Sequence, residues 1–183
     1  MFERDTTRRA LRFEAFLAIF ILADVSQLRG QPADSEAQDW KIFVHGRFDS
    51  GMTTAVNSAV KDARRKLENR ECQLVFSDFR DASGRTIQEN LDARKETAAG
   101  YLRWLIFRNS SDQQYCMRSR SLAGTNPGDR VIQVCGQFQR VQMNDPGFAA
   151  ASIIHEELHS LGLPENPPSS FEINSRVMER CGR

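Results

Sequence analysis

His155-Glu156-Glu157-Leu158-His159 sets two histidines four residues apart, with a glutamate directly after the first. On a helix that spacing puts both imidazoles on one face about one turn apart, so one ring nitrogen of each can reach a single metal ion at about 2.0–2.1 Å. Glu156 sits beside that face, where its carboxylate can take a proton from water rather than bind the metal. Types and spacing together predict a zinc hydrolase, with His155 and His159 as metal ligands and Glu156 as the catalytic base. The chain has three histidines in all, and two of them fall here, which weighs against a chance pairing on a solvated surface helix.

The surrounding residues predict the helix that this chemistry needs. Asp145-Pro146 offers an N-cap followed by a proline at the first helical position, where a missing N–H costs nothing. Ala151, Ile154, Leu158 and Leu161 recur at steps of three and four as a core-facing stripe, with His155 and His159 on an adjacent face and Glu157 and Ser160 pointing away. Gly162 suits the left-handed residue that ends a helix, and Leu163-Pro164 follows as a hydrophobic contact and a stop.

His155, Glu156, His159 and Gly162 match, position for position, the extended motif HExxHxxGxxH, and over roughly residues 131–165 the chain resembles the zincin metallopeptidases, more narrowly the metzincins. It departs from them at the last position, where Glu165 stands in place of the usual histidine. The resemblance implies that the glycine turn swings the following segment back under the metal and delivers Glu165 as third ligand. A carboxylate ligates zinc at about 2.0–2.2 Å, and two histidines with one glutamate form a known catalytic set. Two other glutamates stay open for that place, because gluzincin-type enzymes take the third ligand from the next helix, where Glu172 and Glu179 lie. Ser169-x-x-Glu172 reads as a capping box and gives Glu172 a structural task. The helix break at Gly162 argues against Glu179. Met178 falls in a segment that reads as helix, not as the methionine turn beneath a metzincin site.

The coarse element order agrees with an α+β, zincin-like fold: a small mixed sheet with an active-site helix and a C-terminal helix. Lys41 to His45 starts a strand, and an amphipathic helix follows from about Thr53 to Asn69. Cys72 to Phe79 and Tyr101 to Phe107 read as strands, with a helix in Thr86 to Ala99 between them. Tyr115 to Arg120 and Arg130 to Phe138 read as a hairpin around Gly124-Thr125-Asn126-Pro127-Gly128-Asp129. In zincins the edge strand beside the cleft pairs with an extended peptide, so a peptide or protein substrate is the expected partner. Tyr101 and Tyr115 are candidate donors to a developing oxyanion, and His45 reads as a packed or surface residue.

Residues 1–38 read as an export signal and linker, and 39–183 as the catalytic domain. Arg4, Arg8, Arg9 and Arg12 precede an apolar run from Ala15 to Ala23 that is too short to span a bilayer, so the mature chain is expected to have no membrane span. Thr7-Arg8-Arg9-Ala10-Leu11-Arg12 also resembles a twin-arginine signal. The expected location is secreted or periplasmic, with an uncleaved N-terminal anchor as the alternative. Cys72, Cys116, Cys135 and Cys181 form an even set without CxxC spacing, which suits two disulfides in an oxidising compartment. Placing Cys116 opposite Cys135 across the hairpin leaves Cys72 to pair with Cys181. A net charge of +1 with well-mixed signs gives no field to recruit nucleic acid, and the run Lys61, Arg64, Arg65, Lys66 reads as the solvated face of its helix. A monomer is expected. Beside the peptidase reading stand two others: a secreted zinc-binding interaction module without turnover, and a zinc hydrolase of a non-peptide amide or ester.

Overall fold

Asp49 opens the first long helix by accepting a hydrogen bond from Met52 N at 2.7 Å. This helix, α1 (Ser50–Leu67), buries Met52, Ala55, Val56, Ala59, Val60, Ala63 and Leu67 along one stripe. Of its basic run, Lys61 and Arg65 face outward as expected, whereas Arg64 and Lys66 are half-buried, and Lys66 Nζ donates to Cys181 O at 2.6 Å. The computed structural model describes residues 43–45, 48–118 and 121–182, which belong to one unit, Asp39–Arg183. The expected export signal and linker at 1–38, Lys41, the His45 side chain and Arg120 lie outside the described residues.

Next come two single-turn helices, α2 (Arg70–Gln73) and α3 (Val75–Asp78), where a strand from Cys72 to Phe79 was expected. Asn69 caps the first turn by accepting from Glu71 N, and Cys72, Val75 and Phe76 are buried at helical spacing while Leu74 and Ser77 are exposed. A short apolar run fits either period, and here it takes the helical one behind the Asn69 cap. The capping box of Thr86 and Glu89 starts α4 (Ile87–Ala93), and Thr97 starts α5 (Ala98–Tyr101). A 3-10 turn, Leu102–Trp104, then takes the first part of the segment expected as a strand, which becomes strand only from Ile106.

The sheet is built from β1 (Phe43–His45), β2 (Ile106–Asn109), β3 (Ala123–Gly124) and β4 (Val131–Val134), in the order β1-β2-β4-β3. β2 runs parallel to both β1 and β4, whereas β3 is antiparallel to β4, so the fold is mixed α+β with a small mixed sheet. Phe107, Ile132 and Val134 are buried while their neighbours Arg108 and Gln133 are not, which leaves one sheet face on the core and the other open. The expected hairpin is corrected: Tyr115 lies in the helix α6 (Gln114–Arg118), and the partner of β4 is Ala123–Gly124.

α7 (Phe138–Asn144) leads into α8 (Pro146–Ser160), and α9 (Ser170–Cys181) ends the fold. α8 is the central element, packed against α1, α7, α9 and β3. Both disulfides form as expected: Cys72–Cys181 joins α2 to the end of α9, and Cys116–Cys135 joins α6 to the residue after β4. The second does so from a helix, not across a hairpin. Such bonds belong to an oxidising, extracellular type of environment. Among the described residues no helix is long and apolar enough to cross a membrane.

Candidate metal centre

α8 begins and ends as its sequence dictates. Asp145 accepts from Phe148 N at 3.0 Å and Pro146 takes the first turn. At the other end Gly162 adopts φ 109, Gly162 N donates to His159 O at 2.8 Å, and Leu163 N donates to Leu158 O at 3.0 Å. This is the Schellman pattern, completed by the fully buried Leu163 side chain. The turn has a consequence for chemistry, because it points Leu163 O back at the His159 ring, where it accepts from Nδ1 at 2.8 Å.

A carbonyl oxygen can only accept, so His159 donates from Nδ1, and the neutral ring then carries its lone pair on Nε2. His155 is set in the same way from another element: its Nδ1 lies 2.9 Å from Asn174 Oδ1 on α9, with the amide orientation assigned from the hydrogen-bond network. Burial, then the neighbouring His159, pushes His155 down to about 4, against the pull of Asn174. It is therefore neutral near pH 7. The two Nε2 atoms lie 2.9 Å apart. With the ring protons on the far side, the neutral rings turn both Nε2 lone pairs toward the same gap, an arrangement that a metal ion could bridge.

Glu165 completes the group: one ligand atom from each of His155, His159 and Glu165 lies within 4.8 Å of the others, and the three could hold a metal ion. The histidines are buried and Glu165 is exposed, which places the cluster at the floor of an opening. Glu172 and Glu179 do not join it. Glu172 closes the capping box with Ser169 on α9, and Glu179 pairs with Arg176 at 3.0 Å.

Glu156 lines the same cleft, a space of about 900 Å³ between α8, the open sheet face and the loop after β3. Burial pushes its carboxyl up to about 8, helped by the Glu165 charge and opposed by the nearby Thr125 hydroxyl. The Thr125 hydroxyl is near enough to lower it as a hydrogen-bond donor, yet Thr125 Oγ1 and Glu156 Oε2 both fall short of full hydrogen-bond geometry with any partner among the described residues. Tyr115 is in the cleft, with its hydroxyl donated to Ala123 O. A side chain at Gly124 would collide with that hydroxyl, so the glycine is what admits it. Tyr101 is elsewhere, buried against Ser160 with Oη and Oγ 3.0 Å apart.

Glu157 and Ser160 correct the expected orientation of the helix. Both are fully buried, since a central helix has no solvent face. Neither carboxylate oxygen of Glu157 has a partner among the described residues, and burial holds its pKa well above the ordinary value.

Sequence reasoning missed the outer supports. Asn174 and Leu163 O fix the rings, and Asn90 Nδ2 bridges Leu161 O at 3.0 Å and Asp81 Oδ2 at 2.9 Å, anchoring the turn that bears Gly162. Asp81 also accepts from Ser83 and Arg85, and these bonds hold its carboxyl well below the ordinary range. Gly128 N donates to His159 O at 2.9 Å and ties the loop after β3 to the same turn. Nothing local in the sequence links Asp81 or Asn90 to residue 161.

In comparison with known proteins, the chain matches no family model, no curated protein and no solved structure.

Proposed function

We propose that this chain is a zinc-dependent metallopeptidase of zincin type, in which His155, His159 and Glu165 hold the metal and Glu156 handles the proton. The observation that carries the reading is the pair of imidazoles turned Nε2 to Nε2 at 2.9 Å, each with Nδ1 held by an outer acceptor. Metal-ligating histidines are supported in this way, and the support fixes both ring orientation and tautomer. Two neutral imidazoles and one carboxylate suit zinc, and leave a fourth position for a reactant. A zinc ion bound there supplies Lewis acidity, polarising a carbonyl and lowering the pKa of water toward about 7.

The chain's own residues supply the rest. Glu156, on the cleft wall beside the histidines, takes a proton from water entering the cleft and returns it to the departing amine. Its raised affinity for protons suits a group that must hold one between those two moments. The short edge strand β3 pairs with β4 on one side only among the described residues, and its neighbouring loop lines the cleft. An extended peptide can pair with its free side. The two disulfides agree with action outside the cytosol, where the export signal would take the chain.

The test is Glu156→Gln, measured against the parent for zinc content and for single-turnover cleavage of denatured protein. The expected outcome is about one zinc per chain in both, with cleavage lowered by on the order of 10²–10⁴ in the variant. A parent that holds zinc and cleaves nothing would instead support an interaction module without turnover. Full activity in Glu156→Gln would end the proposed mechanism.

A further inference from the structure

The cleft has two ends of opposite character. At the α8 end stand Glu156 and Glu165 beside the histidines; at the sheet end stands Arg108, the one Lys or Arg among the described residues that line it. Alternation along β2 puts buried Phe107 on the core and exposed Arg108 on the open face. Arg85, Arg103 and Arg180 each engage a carboxylate of this chain, whereas Arg108 has no hydrogen bond or ion pair with any described residue. A charge without a partner among the described residues of a cleft is available to a ligand.

Its neighbour is arranged to help. Gln133 lies opposite Arg108 in the β2–β4 register, so the two side chains rise from the same face about 4.8 Å apart. Ser110, only 1% exposed, donates its hydroxyl to Gln133 Oε1. That orients the amide and leaves Nε2 as a donor with no acceptor among the described residues. A guanidinium fork beside an amide N–H is a set of donors without an acceptor, and it fits a planar anion with two oxygens.

We propose that the sheet end of the cleft is a carboxylate subsite, in which Arg108 and Gln133 hold an acidic group of the substrate. This deepens the peptidase reading and rests on it for the identity of the substrate as a peptide. Gln133 is also in register with Gly124 on the edge strand. Arg108 therefore lies two strand spacings, roughly 10 Å, from that edge. A group bound there belongs to a residue displaced from the scissile bond, either an Asp or Glu side chain or the peptide's C-terminal carboxylate.

The experiment uses fluorescein-labelled peptides of one Ala/Gly sequence carrying a single Glu, Gln or Lys, each with a free or an amidated C-terminus. Binding is read by anisotropy on zinc-loaded Glu156→Gln protein, alone and combined with Arg108→Ala, Arg108→Lys or Arg108→Glu. Glu over Gln, or free over amidated terminus, is expected to be favoured on the order of tenfold, as for one charge-assisted contact. Which of the two comparisons carries the preference identifies the source of the carboxylate. Arg108→Ala should erase the preference, Arg108→Lys should keep part of it, and Arg108→Glu should turn it toward Lys. Equal zinc content across the variants shows that the metal end is intact. No preference in the parent background, a preference that survives Arg108→Ala, or no binding of any peptide overturns the subsite. Failure of the wild-type chain to cleave these peptides while the preference is present would count against the peptidase reading alone.

Discussion

α8 and α9 are neighbouring helices with similar openings and opposite treatment of their acids. Each starts on a side-chain cap, Asp145 for one and Ser169 for the other. On α9 the acids are exposed and satisfied: Ser169 holds Glu172 below the ordinary carboxylate range, and Arg176 pairs with Glu179. On α8 Glu156 and Glu157 are buried, carry oxygens without partners among the described residues, and are pushed up. Burying a carboxyl without compensation costs stability. A chain that spends it twice in succession, beside two inward-facing histidines, has placed something at that point other than stability. α9 is the support, holding Asn174 against His155 and fastened by Cys181 to Cys72.

The sharpest way to break this contrast is to move the metal ligand to the wrong helix. Glu165→Ala should weaken zinc binding by on the order of a thousandfold, judged as one of three ligands in a site worth about 10–16 kcal/mol in structural zinc proteins. Glu172→Ala and Glu179→Ala should leave it within a few-fold, and Asn174→Ala should fall between, at about 10–100-fold. Glu165→His, which supplies an imidazole, should retain metal. Equilibrium dialysis against a zinc chelator measures all of these. If Glu165→Ala held zinc like the parent while Glu172→Ala or Glu179→Ala released it, α9 would be the ligand helix and the assignment of roles would reverse.

The sequence carried α8 well because its signals are local. Asp145, Pro146 and Gly162 act within one turn of themselves, and the histidine spacing is a property of any helix. The capping box at Ser169 was legible for the same reason. What failed was whatever depended on distant packing. Cys72 to Phe79 has residues that suit either a strand or a helix, and contact with α4 and α9 goes with the helical outcome. Glu157 looked solvent-facing because an acid opposite an apolar stripe usually is; only the enclosure of α8 by α1, α7, α9 and β3 shows otherwise. Asn90, Asn174 and Arg108 have no sequence signature, since each acts on a residue far along the chain.

The two disulfides sharpen the same contrast between support and site. Cys72–Cys181 spans 109 residues and Cys116–Cys135 spans 19. Loop-closure entropy predicts that removing a bridge costs about 2–4 kcal/mol, with the longer loop at the upper end. Replacing Cys72 and Cys181 by Ala should therefore lower stability in urea more than replacing Cys116 and Cys135. The second pair borders the cleft through Tyr115 and β4, so its loss should weaken peptide binding more than the first does. A larger stability loss from the short loop would mean that the cleft wall, not α9, is the stapled scaffold.

The smallest effect tests the price of the buried acid itself. Burial raises the Glu157 pKa well above the ordinary 4.5, so the folded chain binds this proton more tightly than the unfolded chain does. Folding stability from this group is then full below about pH 4.5 and is lost as pH rises toward the folded pKa, by up to about 1.4 kcal/mol per pH unit while the proton is retained. Glu157→Gln cannot ionise and keeps a similar shape, so although it remains a buried polar group it should stabilise the chain at pH 8 by about 1–3 kcal/mol, within the linkage limit of about 1.4 kcal/mol per pH unit that the raised pKa sets. The gain should shrink at pH 5. Urea denaturation of chelator-treated protein at pH 5, 6.5 and 8 gives the comparison, with Glu179→Gln as the exposed counterpart and little change expected from it at any pH. A Glu157→Gln chain that is less stable at every pH would overturn the view of Glu157 as an uncompensated buried acid, and α8 would then carry one such acid, Glu156, on the side that faces the cleft.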